Sequence, residues 1–387
     1  VPNGVLRGAP APFMGFPRES QMDIIAHELG IDPIELRLKN ALDAEEEFGS
    51  GSGQTGGGPL HFTGRALHFD VQAELRKVAQ ALEVPSSSPD NTYKAKKKRG
   101  TGVACGVETT PSPTVSSVVL TLSADGSLRI NASVVEMGQG AREMLARIAS
   151  EELGIPMDHI TMTHPDTEVT PYEQITSASR TTINVGRTVE RAAQGVRTQL
   201  SSIFSQMYEV DPGSISLSDG YIHGDGQSVS LGEIVAARYS GMPGGEIVAY
   251  AANPGSDSGS PTQVAVAGAE VEVDEETGRL KVLKFVSSLS VGKIMNGDRA
   301  HGQNEGGTIY ALGHAISEEM IYNEDGQLTN GNLMEYVVPT FDMMPEKFES
   351  ILVEDKGGPG PGGARGIGEA ASLIVMPAIA NAVYDAT

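Results

Sequence analysis

The segment Gly362-Gly363-Ala364-Arg365-Gly366-Ile367-Gly368-Glu369 constrains this chain more than any other. Glycine at this density weakens both helix and strand interiors, so a loop is required here. An apolar run from Leu373 to Val383 follows and reads as packed structure. One carboxylate, Glu369, is left at the junction. Glycine lets the backbone pass close to a ligand, and an acid so placed suits a general base beside a bulky group. The same residues also read as a plain helix start capped by Glu369 or Ser372.

Composition narrows the function classes. The 387 residues carry 28 Lys+Arg against 50 Asp+Glu, a formal charge of −22. Nucleic acid is disfavoured as a partner, because phosphate binding needs basic patches. The one basic cluster, at positions 94–99, reads as a solvated lead-in to a strand. A single cysteine, Cys105, leaves no disulfide, no iron–sulfur cluster and no Cys-ligated zinc site on this chain. Eight histidines show no His-Glu-x-x-His spacing, so a metal is expected to arrive inside a cofactor or on a partner. No apolar run reaches membrane-spanning length and no signal peptide is visible, so the expected compartment is the cytoplasm. The chain begins at Val1 without a methionine, which reads as a processed or truncated product.

Hydrophobic spacing predicts an α+β fold. Helices are expected over 19–29, from Asp32-Pro33 onward, and over 70–82, 140–154, 186–207 and 306–320, with a last one from near Pro377. Residues 1–18, 46–60 and 85–91 read as loops. Strands are expected between 100 and 135 around the turn Ala124-Asp125-Gly126-Ser127. Others are expected at 160–163, 246–250, 264–273, 280–288, 332–338 and 348–353.

Three further polar loops interrupt this pattern. Glu136-Met137-Gly138-Gln139-Gly140 precedes a predicted helix whose N-terminal N–H groups would suit an anion, although a tight turn with a surface Gln explains it as well. Thr176-Ser177-Ala178-Ser179-Arg180-Thr181-Thr182 carries more hydroxyls than one helix cap needs and suits a phosphate. His301-Gly302-Gln303-Asn304-Glu305-Gly306-Gly307 offers Gln303 to a heterocycle, or is a capping element. With the Glu369 loop and Arg7-Gly8-Ala9-Pro10, these loops look like one site assembled from distant parts of the chain.

Taken in order, these motifs resemble the molybdenum-binding subunit of the xanthine dehydrogenase/aldehyde oxidase family of molybdenum hydroxylases. The likeness also includes Glu19-Ser20-Gln21-Met22-Asp23, Glu35-Leu36-Arg37-Leu38-Lys39-Asn40, Glu151-Glu152-Leu153-Gly154-Ile155-Pro156 and the stretch Ile379 to Thr387. It spans nearly the whole chain and matches the second half of the family's subunit. The resemblance implies an α+β molybdopterin-binding fold of two subdomains over 101–387, divided near 240. Residues 1–100 would be a helical and loop segment completing the first lobe.

The resemblance also implies a pyranopterin dithiolene, or its cytosine dinucleotide form, holding molybdenum without a protein ligand. Glu369 is the implied general base for attack of a water-derived oxygen on an electron-poor carbon of an N-heterocycle or aldehyde. Arg7, Gly138, Gln139, Gly140, Ala178, Ser179, Arg180, Thr181, Thr182, Gln303 and Gly368 are the implied cofactor contacts. Iron–sulfur ([2Fe–2S]) and FAD partner subunits would take the electrons. A second molybdenum subunit would supply the upstream half, as in split members such as nicotinate dehydrogenase.

Departures bear on the substrate. Ala9 stands where many relatives carry an aromatic, and Ala370-Ala371 stand where prolines are frequent, which puts xanthine itself in doubt. Residues 109–113 are expected to line the pocket. Carbon monoxide oxidation would need a cysteine-borne copper loop in which Cys105 is not placed. A non-catalytic partner or cofactor-insertion protein keeping the fold is the alternative, and retention of Glu369 argues against it.

Overall fold

The structure is a computed structural model that describes residues 6–8, 11–41, 47–48, 52–55, 58–61, 65–66, 69–83, 97–109, 114–239, 245–253, 262–355 and 357–387. Helices α1 (Ala11–Leu29) and α2 (Pro33–Asn40) come first. Short antiparallel pairs follow, β1 (Glu47–Phe48) with β4 (Arg65–Ala66) and β2 (Ser52–Thr55) with β3 (Gly58–His61), in and just beyond the stretch 46–60 that the sequence predicts as loop. Helix α3 (Val71–Glu83) leads into β5 (Lys97–Thr109).

One layer is a sheet of order β12-β6-β7-β8, from β6 (Ser116–Ser123), β7 (Leu128–Asn131), β8 (Ile160–Met162) and β12 (Glu246–Asn253). The turn between β6 and β7 has Gly126 at φ +82°, a left-handed conformation that glycine adopts freely. Helices α4 (Ala141–Leu153) and α5 (Gly186–Tyr208) cover this sheet. Val189, Ala192, Ala193, Val196, Leu200 and Phe204 of α5 recur at helical spacing and bury against Leu120, Leu122 and Ile130. Between α5 and β12 lie the small meander β9 (Ser216–Ser218), β10 (Tyr221–Gly224), β11 (Gln227–Ser230) and helix α6 (Leu231–Arg238). The pattern reading passed over α6, although Ser230 and Glu233 form a reciprocal capping box at its start.

The second layer is a sheet of order β15-β14-β13-β5, from β13 (Thr262–Asp274), β14 (Leu280–Ser290) and β15 (Lys347–Val353). Helix α3 packs on one face, and α7 (Gly297–Ile316) and α8 (Val375–Ala386) pack on the other. Strand β14 is therefore buried on both sides, which is why Val282 to Leu289 reads as a nearly unbroken buried run. A seam of small residues lets α8 lie directly on β5. A Cβ at Gly102 would stand 2.2 Å from the Ala382 nitrogen, and one at Gly100 2.3 Å from the Ala382 oxygen. Lys97 and Arg99 of the basic cluster pair with Glu272 across the β5–β13 ladder.

Several expectations change. Helix α1 begins at Ala11, because Pro12 falls in its first turn, where a missing N–H is tolerated, and the helix rests on α8. Helix α7 begins at Gly297, with the Asn296 side chain accepting from the Arg299 N–H at 3.2 Å. The His301–Gly307 motif is thus helix interior and not a loop before a helix. Residues 332–338 form turns instead of a strand, as Asn332 Oδ1 accepts from the Met334 N–H at 3.0 Å. Strand β12 lies beyond position 240 and pairs with β6 in the first sheet, while β13 belongs to the second. Within residues 1–100, α1 packs on α8 and β5, and α3 packs on β13 and β14. Arg37 clamps them in place, donating to Glu19 Oε2 at 3.0 Å and Asp23 Oδ1 at 2.6 Å, while Glu19 Oε2 also accepts from the Cys105 N–H on β5 at 3.0 Å.

Candidate active site

The layers meet at a cavity of about 490 Å³ lined by Arg7, Gln139, Gly140, Ser179, Thr181, Thr182, Gln303, Gly368 and Glu369 among others. Eight of the residues matched by motif therefore converge with Glu369, from five separate stretches of sequence. Gly138, Ala178 and Arg180 do not line it.

Glu369 begins a short 3-10 turn, Ala370–Leu373, but its side chain does not cap that turn. Its Oε1 accepts from the Gly8 N–H at 3.2 Å, and Oε2 lies 3.2 Å from the Ser179 hydroxyl. The Glu369 N–H donates to Ser179 Oγ at 3.1 Å. Ser372 Oγ donates to the Glu369 carbonyl at 2.6 Å and lies 3.2 Å from the Arg7 carbonyl. Thus Ser372 ties the two loops together while the Glu369 carboxylate is held across the gap between them.

Arg7 reaches from the N-terminal segment to the same place. Its Nε donates to the Gly368 carbonyl, and Nη2 donates to Gln303 Oε1 at 3.1 Å. Burial pulls its guanidinium below the ordinary value, while Glu369 and Tyr310 pull the other way. Gly307, one turn after Gln303, has no Cβ to meet Ala371, which lets α7 close on the Glu369 turn.

Two loops differ from expectation. The Glu136 carboxylate takes the N–H groups of Gly138 at 3.0 Å, Gly140 at 2.9 Å and Arg142 at 3.2 Å. The start of α4 is therefore already occupied by the chain's own anion and is no open phosphate cradle. Burial opposes that charge, but the Gly140, Arg142 and Gly138 amides hold the Glu136 carboxyl below the usual carboxylate range. Gln139 braces the same loop, donating to the Val135 carbonyl at 2.8 Å and accepting from the Met137 N–H at 2.7 Å.

Arg180 points inward. It pairs with Glu173 and donates to Ser116 Oγ at 2.6 Å and the Ile175 carbonyl at 2.7 Å. It is an anchor under the loop instead of a cavity cation. The anchor holds Ala178 and Ser179 at φ +52° and +50°, two consecutive left-handed residues without glycine, a strained arrangement of the kind found at ligand sites. A single π turn, Thr181–Val185, follows and presents Thr181 and Thr182 to the cavity.

Lys293, Asn296 and Arg299 also line the cavity, and sequence reasoning missed them. The signal was Asn296-Gly297-Asp298 in the loop after a strand, a helix start obscured by later glycines. Residues 110–113, expected to line the pocket, lie outside the described residues, and nothing is described of the Thr109 side chain. Cys105 lies on β5 and is not among the lining residues, and burial pushes its thiol up to about 12. Among the described residues no group of three His, Cys, Asp or Glu side chains could hold a metal ion, and no helix is long and apolar enough to cross a membrane.

Residues 75–345 match the molybdopterin cofactor-binding domain family, and residues 1–41 match a second family of the same description. The chain belongs to the molybdopterin cofactor-binding family. Its relatives place it among the molybdenum hydroxylases of xanthine dehydrogenase type, with an α+β fold. It is 29% identical over its whole length to 49% of the 6-hydroxypseudooxynicotine dehydrogenase complex subunit gamma of Paenarthrobacter nicotinovorans. It is 27% identical, again over its whole length, to 40% of the probable hypoxanthine oxidase XdhD of Escherichia coli K12. The crystal structure of quinoline 2-oxidoreductase from Pseudomonas putida 86 superposes with a TM-score of 0.82 at 25% identity, covering 99% of this chain and 50% of that one. The chain thus spans two fifths to half the length of these relatives.

The cavity residues fit a pterin phosphate. The Thr181 and Thr182 hydroxyls make no side-chain hydrogen bond with the described residues, so their capacity is unspent. Gln303 has its oxygen engaged by Arg7, leaving its NH2 group for a heterocycle.

Proposed function

We propose that this chain is the molybdopterin-binding part of an enzyme that hydroxylates an electron-poor carbon of an N-heterocycle, with aldehydes as the second substrate class. A C–H bond becomes C–O–H with oxygen from water, and two electrons and two protons leave. The observation that carries this reading is the Glu369 carboxylate, held at the cavity wall by the Gly8 N–H and the Ser179 hydroxyl. A carboxylate so placed takes the proton from the water-derived nucleophile. Arg7 fixes Gly368 and Gln303 around it. Thr181, Thr182 and Gln303 would hold the pterin and its phosphate, with the molybdenum carried by the pterin. When bound, that group supplies the two-electron redox centre.

Relatives named for nicotine 6-hydroxylation, 6-hydroxypseudooxynicotine dehydrogenation and quinoline 2-oxidoreduction support an N-heterocycle. The relatives named as a complex subunit and a large subunit support assembly with partner subunits, to which this reading assigns the [2Fe–2S] and FAD centres that take the electrons. One half-buried cysteine is consistent with that division. The part of the relatives that this chain does not span would complete the cavity, from a second molybdenum subunit or the same polypeptide. The cofactor is molybdopterin or its cytosine dinucleotide, distinguished by mass spectrometry after release, and the proposed compartment is the cytoplasm.

The test is Glu369→Gln in the purified complex, with molybdenum and pterin content measured beside turnover of quinoline, nicotine and benzaldehyde. A loss of at least about 100-fold at unchanged cofactor content is expected. Turnover within twofold of the parent would remove Glu369 from the chemistry.

A further inference from the structure

Behind Glu369 lies a second carboxylate that the proposed reaction does not use. Glu108 on β5 is 7% exposed, and it accepts from Nε2 of Gln263 on β13 at 3.2 Å. Gln263 is 1% exposed, and its Oε1 lies 3.0 Å from Ser179 Oγ. Ser179 Oγ in turn lies 3.2 Å from Glu369 Oε2 and accepts from the Glu369 N–H. A serine hydroxyl has one proton to donate. It therefore has two competing acceptors, Glu369 on the cavity side and Gln263 on the interior side. The orientation of the Gln263 amide is set from behind, because its Nε2 donates to Glu108 Oε2 and leaves Oε1 toward Ser179.

We infer that Ser179 and Gln263 are positioning residues that switch one hydrogen bond with the protonation of Glu369, and so set the pH at which Glu369 takes up a proton. While Glu369 is ionised, the Ser179 hydroxyl donates to it. When Glu369 gains a proton, that donor is no longer needed and the hydroxyl turns to Gln263 Oε1, so the buried amide oxygen has its donor only in the protonated state. The switch moves one hydroxyl proton by rotation and requires no shift of the backbone. Gly366 keeps the two loops close enough for it, since a Cβ there would meet the Ser179 carbonyl at 1.8 Å. Among the described residues, the charged groups on the cavity with Glu369 are Arg7 from the N-terminal segment and Lys293 and Arg299, which pair with Glu151 and Glu143, while Glu108 from β5 lies beyond Gln263. Arg180 and Arg365 are committed to Glu173 and Asp355, and Tyr310 of α7 acts on Arg7. This inference rests on the reading of Glu369 as the base.

Ser179→Ala and Gln263→Met in the assembled complex give opposite expectations. Ala178 already holds the same left-handed backbone beside Ser179, so alanine is tolerated there. Without its hydroxyl, the Glu369 carboxylate loses a donor and its titration midpoint rises by about one pH unit. Without Gln263 Oε1, the hydroxyl stays on Glu369 and the midpoint falls. Glu108→Gln, which frees the amide to turn over, is expected to follow Gln263→Met. The midpoint is read from the carboxylic C=O stretch in infrared spectra of the complex minus those of Glu369→Gln, and independently from the acidic limb of kcat/KM. Shifts of the same sign in Ser179→Ala and Gln263→Met, or an unmoved midpoint in Gln263→Met, would overturn the switch. Opposite infrared shifts in a complex that hydroxylates none of the substrates would instead keep the switch and remove the proposed reaction. If Ser179→Ala does not assemble, the fall expected in Gln263→Met and Glu108→Gln still decides the matter.

Discussion

Replacing Gly366 by alanine is the sharpest test of how the site is built. The Ser179 carbonyl lies 1.8 Å from where that Cβ would be, whereas real Cβ contacts stay beyond 3.0 Å, so the two loops must separate by about 1.2 Å. The Glu369 N–H to Ser179 Oγ bond at 3.1 Å and the Ser179 to Glu369 Oε2 contact at 3.2 Å would then stretch past hydrogen-bonding range. Their loss costs ~1 kcal/mol for the neutral bond and ~2 kcal/mol for the bond to the carboxylate, while the rest of the fold is unaffected. A misplacement of this size at a reacting group costs on the order of 100-fold in rate. The assay is kcat/KM of the assembled complex with an azaheterocycle, together with the melting temperature and pterin content. A large fall in kcat/KM at normal pterin content is expected. Activity within threefold of the parent, with a normal melting temperature, would show that the closeness of these loops does not matter to the chemistry.

Two further predictions concern stability. Asp355 and Arg365, both nearly fully buried, form a two-point ion pair at 3.0 and 2.9 Å just upstream of Glu369. Asp355→Asn should cost ~3–5 kcal/mol at neutral pH by removing the charge that faces the buried Arg365 guanidinium, as urea unfolding would measure. Burial pushes the Asp355 carboxyl up, but hydrogen bonds from Arg365 and Ser290 hold it below its ordinary value. Its contribution is therefore present above the unfolded carboxylate range near ~3.9 and fades as pH falls through the lower folded value. The gap between parent and variant should accordingly narrow below about pH 4, and a gap that widens there would refute the assignment. Gly102→Ala should push α8 off β5, since its Cβ would meet the Ala382 nitrogen at 2.2 Å and the Ala378 oxygen at 2.5 Å. A loss of ~3 kcal/mol or more is expected from calorimetry, and an unchanged melting temperature would contradict the packing.

Much of the chain was legible from local pattern. The β6–β7 hairpin follows from alternation around Asp125-Gly126, and α2 from Asp32 and Pro33, whose cap forms as read, with Asp32 Oδ1 accepting from the Ile34 N–H at 2.8 Å. The order of the motifs pointed to the family, and Glu369 was picked out by its glycines. Helix α7 was misread because glycine density argues locally against a helix. Tertiary packing overrides that preference, and Gly307 is needed for the approach of Ala371.

What the sequence by itself determined was therefore most of the inventory: the larger elements, which family they belong to, and which acid stands in the cleft. Only the tertiary structure decided what each polar group does. Glu136 spends the amides at the start of α4 that looked open to a phosphate, and Arg180 turns under its loop to Glu173. Glu369 meets Gly8 and Ser179, which lie 361 and 190 positions away. Helices, strands and caps depend on neighbours within a few residues, so local spacing carries them. A hydrogen-bond partner depends on which surfaces close on each other, here through glycine and alanine seams whose fit is a property of three-dimensional packing alone.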